Sequence, residues 1–308
     1  MGSHSLLRRS GGISWPAFII IFFLCAVWYS KNHGLPTMHL ANGNSMLSSP
    51  SSEFPKFIWQ TSNDKAKEKY ANYTATWRDV NPTWKYEWLS DDGATEFVEA
   101  HFKHRPAILR FWHDLQVVIL RADMLRYLTM LARGGVYGDI DTTNLIAIEE
   151  WIPPNLQHLE INAIVGIEYD DTTFKVFGKN ISFCQWTLSA KPNHPLFETA
   201  VRRVMSNLEY ISRMKRVDLK DLTLSKDEVL QATGPGLYTD VVMEVLRNQV
   251  GENLQLEDFH GQKEPKVFGD VLVLPVRGFA SGQRHSHSKD PEYGTILVKH
   301  HFGKSWYS

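Results

Sequence analysis

Cysteine is nearly absent: the 308-residue chain has two, Cys25 and Cys184. Cys25 falls in a long apolar run and Cys184 is alone in the remainder. No internal disulfide can staple that remainder, so its fold must rest on the size of its core. Net charge is absent too. With 33 Lys and Arg against 34 Asp and Glu, the formal charge is −1, which removes any global field toward nucleic acid or acidic partners. No internal repeat is visible, and His285 and His287 in "RHSHSKD" have loop composition without a metal pattern.

One stretch lacks charge altogether. Residues 10–30, "SGGISWPAFIIIFFLCAVWYS", carry no charged side chain. At about 1.5 Å of rise per residue they can span a hydrocarbon core of roughly 30 Å. Arg8 and Arg9 precede the run and Lys31 follows it, so the positive-inside bias leaves the N-terminus cytosolic. No small-x-small cleavage site follows, which favours a retained type II signal anchor over a removed signal peptide. The expected layout is a cytosolic tail at 1–12, a transmembrane segment at 13–30, a flexible Asn-, Gly-, Ser- and Pro-rich stem at 31–53, and a lumenal domain at 54–308. Sequons stand at Asn72 and Asn180; roughly two arise by chance in such a composition, so they carry little weight.

Beyond the stem, strand-like and helix-like patterns alternate. "FPKFIWQTS" reads as a strand and "DKAKEKYANYTATWRDVNP" as a helix stopped by Pro82. "WKYEWLSDD" and "ATEFVEAHF" repeat that pair. A helix over 120–133 ends at Gly134 and Gly135 and gives way to a strand "VYGDID". Further strands are expected at 163–169 and 181–190, and long helices from near His194 and after "TGPG" at 233–236. The alternation argues for an α/β sheet with helices on its faces.

Charge is out of place in "RADMLRYLTMLARGGVYGDIDTTNL", residues 121–145. Side chains of a strand repeat every second residue, so Asp139 and Asp141 at a strand end would point the same way. Two hard oxygen ligands aimed into a crevice suit Mg²⁺ or Mn²⁺ shared with a diphosphate. Asp-rich tripeptides also make ordinary turns, and the three residues alone fit that reading. On the preceding helix, Asp123 and Arg126 share one face of an almost wholly apolar surface. Buried charges need partners: the two either form a structural ion pair or face the same crevice. Arg121 lies on another face and reads as structural.

This stretch resembles the signature of glycosyltransferase family 32. "FPKFIWQT", "SFCQWTLSAKPNHPLF", "TGPGLYTDVV", "DVLVLPV" and "VKHHFGKSW" are similar to successive blocks of the initiation-specific alpha-1,6-mannosyltransferases of the fungal Golgi. The tracts before residue 120 and near 209–228 match less well. The resemblance implies an α/β fold of GT-A (Rossmann-like) type with a mixed sheet, and mannose transfer from GDP-mannose with retained configuration. It implies that Asp139 and Asp141 hold Mn²⁺ (or Mg²⁺) with the donor diphosphate, and that Asp123 and Arg126 contact the donor sugar. By position, Trp59 would stack on the nucleotide base or else be a core tryptophan. His300, or its neighbour His301, would complete the metal shell, and Ser305 and Trp306 would close over the phosphates. The implied acceptor is a glycoprotein N-glycan or mannoside, the implied site the Golgi membrane, and a mannosyltransferase complex a possible assembly. Glu168, Asp170 and Asp171 are acceptor-side candidates. An inositol-sphingolipid acceptor, another nucleotide sugar and a noncatalytic lumenal glycan-binding role are the alternatives.

Overall fold

The protein is seen in a computed structural model that describes residues 54–303. The apolar run at 10–30, the stem, Ser305 and Trp306 lie outside the described residues. Among the described residues no helix is long and apolar enough to cross a membrane.

Ten strands are described: β1 (Phe57–Thr61), β2 (Lys85–Leu89), β3 (Gly135–Gly138), β4 (Thr142–Asn144), β5 (Ala163–Asp170), β6 (Ile181–Phe183), β7 (Thr187–Ala190), β8 (Lys266–Phe268), β9 (Val271–Leu274) and β10 (Val298–His300). The main sheet runs β2-β1-β3-β7-β5-β9-β8, with β6 added on β5. β1 is parallel to β2 and β3, β7 is antiparallel to β3 and β5, and β9 is parallel to β5. The mixed α/β sheet agrees with the alternation in the sequence. β3, β7, β9 and most of β5 are buried, as befits strands covered on both faces.

The helices are α1 (Asp64–Lys69), α2 (Ala71–Val80), α3 (Asp91–Phe102), α4 (Pro106–Asp114), α5 (Val118–Arg133), α6 (Pro195–Lys215), α7 (Lys226–Ala232), α8 (Pro235–Val250) and α9 (Val276–Ala280). α5 is buried almost all round, without interruption from Asp123 to Leu131, and it packs on β1, β3, β7 and α6.

Three elements differ from the sequence pattern, each by a break. The helix expected over 64–80 is two helices, interrupted at Tyr70. The strand expected over 181–190 is two short strands separated by Cys184, Gln185 and Trp186. The strand expected to include "DID" ends at Gly138. Asp139, Ile140 and Asp141 form a turn closed by the Thr142 amide on the Asp139 carbonyl at 3.0 Å. α4 was not anticipated at all; Pro106 at its first position starts it.

Candidate metal and donor site

The site begins on α5. Asp123 and Arg126 are one helical turn apart, with Arg126 Nη2 3.0 Å from Asp123 Oδ1. The pair is buried, so each remaining polar atom needs a partner. Thr233, just ahead of α8, donates its hydroxyl to Asp123 Oδ2 at 2.7 Å. Arg126 Nη1 donates to the Gln185 carbonyl at 3.2 Å, and Nη2 lies 3.5 Å from Asp139 Oδ1. Burial pulls the Arg126 guanidinium down, but Asp139, Tyr137 and Asp123 outweigh it and hold it above its ordinary value. Both readings of this pair therefore meet in one geometry. It is a buried ion pair, and it reaches the first aspartate of the turn.

Between β3 and β4 the turn presents both carboxylates. A Cβ at Gly138 would strike the Trp77 indole, so the chain enters the turn pressed against that ring, whose Nε1 donates to the Thr142 carbonyl at 3.1 Å. Tyr137 donates its hydroxyl to Asp139 Oδ1 at 2.9 Å, and Gln60 Nε2 donates to the Asp139 carbonyl at 3.0 Å. Gln60 is itself held by Tyr86. Burial pushes the Asp139 carboxyl up, with Arg126 opposing and Asp141 adding to the rise.

The second carboxylate is gripped by the far end of the chain. β10 pairs antiparallel with β4, with His300 opposite Thr142. His300 Nε2 lies 3.1 Å from Asp141 Oδ1, and the Gly303 amide donates to Oδ2 at 2.6 Å. Burial opposes ionisation of Asp141, but His300 and the Gly303 amide outweigh it and hold the carboxyl below its usual value. The His300 ring stacks on Trp186 with centroids 4.6 Å apart, and its Nδ1 is buried without a partner. One ligand atom from each of Asp139, Asp141 and His300 falls within 4.8 Å of the others. Two carboxylate oxygens and one imidazole nitrogen are a donor set that fits Mn²⁺, and with Nε2–H turned to Asp141 the unpartnered Nδ1 carries the ring's free lone pair.

A sequence profile described as "Glycosyltransferase sugar-binding region containing DXD motif" matches residues 67–157, the span that holds Asp123, Arg126, Asp139 and Asp141. Two proteins named initiation-specific alpha-1,6-mannosyltransferase are similar along the chain. That of Schizosaccharomyces pombe is 36% identical over 259 residues, 82% of this chain and 64% of its own. That of Candida albicans is 33% identical over 283 residues, 83% of this chain and 73% of its own. The chain belongs to this family of DXD glycosyltransferases. It spans about two thirds of the length of the S. pombe relative. Among solved structures, a PaToxG glycosyltransferase aligns with a TM-score of 0.44 at 16% identity, covering 76% of this chain and 79% of that one.

For this glycosyltransferase the structure separates the expected site residues. Asp123, Arg126, Asp139, Asp141 and His300 converge. His301 does not join them: its ring stacks on Tyr73 at 4.0 Å and its Nε2 pairs with the Thr143 hydroxyl. Trp59 is corrected to a core residue. It is 5% exposed, packs between Phe57 and Phe97, and donates Nε1 to the Gly134 carbonyl at 2.9 Å. No face of that indole is left for a base. Asp170 is engaged by His260 and by the Gly261 amide, and Asp171 caps the amides of Thr173 and Phe174. Glu168 accepts one long bond, from Ser182 at 3.5 Å. Asn72 is exposed on α2 and Asn180 is half-buried. Tyr137, Gln60, Thr233, Gln185 and Trp186 lie within the blocks that carry the resemblance, but the sequence assigns none of them a role. Their polar atoms on an apolar background were the available hint.

Proposed function

We propose that this glycosyltransferase moves mannose from GDP-mannose to a mannose-containing glycan, forming an alpha-1,6 bond with retained configuration and depending on Mn²⁺. The observation that carries the reading is the convergence of Asp139, Asp141 and His300 within 4.8 Å, beside a buried Asp123–Arg126 pair that reaches Asp139. The names of the S. pombe and C. albicans relatives support mannose as the sugar and the alpha-1,6 linkage.

In this reading Asp139, Asp141 and His300 hold the metal. When bound, the metal supplies Lewis-acid stabilisation of the charge that develops on the departing diphosphate. Arg126 and Asp123 orient the donor sugar, and the Tyr137 hydroxyl fixes the rotamer of Asp139. The acceptor hydroxyl attacks from the donor's own face. Ser305 and Trp306 close over the phosphates, and the chain acts from the Golgi membrane on N-glycan acceptors through its N-terminal anchor.

The test is a screen of purified protein in Mn²⁺, with GDP-mannose or another nucleotide sugar as donor, against N-glycan cores, free mannosides and glycolipid headgroups. A mannoside or N-glycan product with a new alpha-1,6 bond is expected. Transfer only to glycolipid, or only from another nucleotide sugar, would overturn the assignment.

A further inference from the structure

The break between α1 and α2 leaves Tyr70 in an unusual position. Its side chain is 6% exposed, yet its hydroxyl proton has no acceptor, because the polar neighbour that meets its oxygen, the Lys69 ammonium, is itself a donor. Buried polar groups are rarely left so, and an orphaned one points to a missing partner. The hydroxyl does not face hydrophobic core. A Cβ on Gly303 would clash with it and would stand 3.1 Å from Asp141 Oδ2, so the phenol and the second metal-site carboxylate flank the same spot. The Asp141 oxygens are turned to other donors, Oδ1 to His300 and Oδ2 to the Gly303 amide, and neither bonds the phenol.

Charge points the same way. The convergent residues bring three carboxylates, of Asp123, Asp139 and Asp141, against one guanidinium, of Arg126. A bound divalent ion offsets little more than that surplus, so an anionic diphosphate would call for a further cation. The neighbouring Lys69 supplies one. Its Nζ lies 4.8 Å from the centroid of the Tyr70 ring, and its ammonium is stabilised by Tyr70 and by the field of Asp141. The ring is fixed from behind, since Tyr70 stacks on Tyr73 and Tyr73 on His301.

Resting on the nucleotide-sugar reading above, we infer that Tyr70 and Lys69 form a second diphosphate contact of the donor site, the phenol donating to a phosphate oxygen and the ammonium neutralising it. The contact is blind to the base and to the sugar. It also predicts a reversal that a structural tyrosine would not show. Without nucleotide, the phenol proton is unsatisfied, so removal of the hydroxyl costs little.

The experiment is nucleotide binding to the purified full chain in Mn²⁺, by calorimetry, together with thermal unfolding with and without nucleotide. Tyr70→Phe is expected to weaken GDP and UDP by the same factor, about tenfold, the scale of one hydrogen bond to a charged group. It should leave the Tm of the nucleotide-free protein unchanged or raised and shrink the rise that GDP produces. Lys69→Ala should weaken both nucleotides and make the remaining affinity less sensitive to salt. Wild-type affinity and a full GDP-induced Tm rise in both variants would overturn the inference while leaving the donor reading intact. A Tyr70→Phe protein less stable without nucleotide, with unchanged GDP affinity, would make Tyr70 structural. Failure of the wild type to bind either diphosphate would remove the donor reading and this contact with it.

Discussion

Arg126 is the charge on which the site is organised, because one buried guanidinium faces Asp123, the Gln185 carbonyl and Asp139. Removing a single partner from such a group leaves its charge uncompensated, which costs about 3–5 kcal/mol. A hydroxyl bonded to a buried carboxylate is worth less, about 1.5–3 kcal/mol. Thr233→Val should therefore lower unfolding stability by that smaller amount in urea denaturation, and Asp123→Ala by the larger. Glu168 offers a different test. Burial pushes its carboxyl up from the ordinary 4.5 to about 8, with Ser182 pulling the other way. The folded protein keeps this proton where the unfolded chain has released it, so stability is highest below the unfolded value and falls as pH rises toward about 8. Glu168→Gln, which cannot ionise, should match the parent in Tm near about pH 4 and exceed it increasingly up to about pH 8. A constant difference across that window would refute the shift. At this scale the sequence was informative where charge stood on apolar periodicity, as at Asp123, Arg126, Asp139 and Asp141. It assigned no role to Thr233 and Gln185, whose polar atoms matter through partners far along the chain, nor to Tyr137, whose hydroxyl turns to Asp139 two residues on.

The elements are informative where they stop. α1 and α2 part at Tyr70, β6 and β7 part around Gln185 and Trp186, and β3 gives out one residue before Asp139. Each break turns side chains toward the site that a continuous helix or strand would have sent elsewhere. Periodicity found the flanking elements and ran them together, because apolar spacing continues across a break while backbone direction does not. The Asp-x-Asp converges through a turn, not through strand alternation, so the turn reading does not exclude the metal reading. At Trp59 the sequence left two readings, a base-stacking ring or a core tryptophan, and its indole is packed in the core. The turn depends on the close approach of Gly138 to Trp77. Gly138→Ala should cost about 1–3 kcal/mol, the usual penalty for overpacking, and should weaken Mn²⁺ binding as the turn is displaced; calorimetry on the folded variant would show both. Unchanged Mn²⁺ affinity would separate the turn from the site.

On the scale of the whole molecule, the chain brings its last described strand back to the middle of its sequence. β10 pairs with β4, so His300 meets Asp141 across 159 residues of sequence. The resemblance of "VKHHFGKSW" to a closing block suggested that meeting, and the ribbon explains it; spacing alone had no means of choosing His300 over His301. The α/β sheet was legible from alternation and its mixed character from the resemblance, whereas its strand order was not, because pairing depends on contacts that no local pattern records. The central claim is that Asp139, Asp141 and His300 hold a divalent ion required for mannosyl transfer. The direct measurement is mannose transfer from GDP-mannose to a mannoside by protein stripped of metal with EDTA and then titrated with Mn²⁺, in parallel with Asp141→Asn. Transfer should vanish on stripping, return with Mn²⁺ in the parent, and stay absent in Asp141→Asn while its Tm shows a folded protein. Full transfer by the stripped parent, or near-normal turnover in Asp141→Asn, would contradict the account.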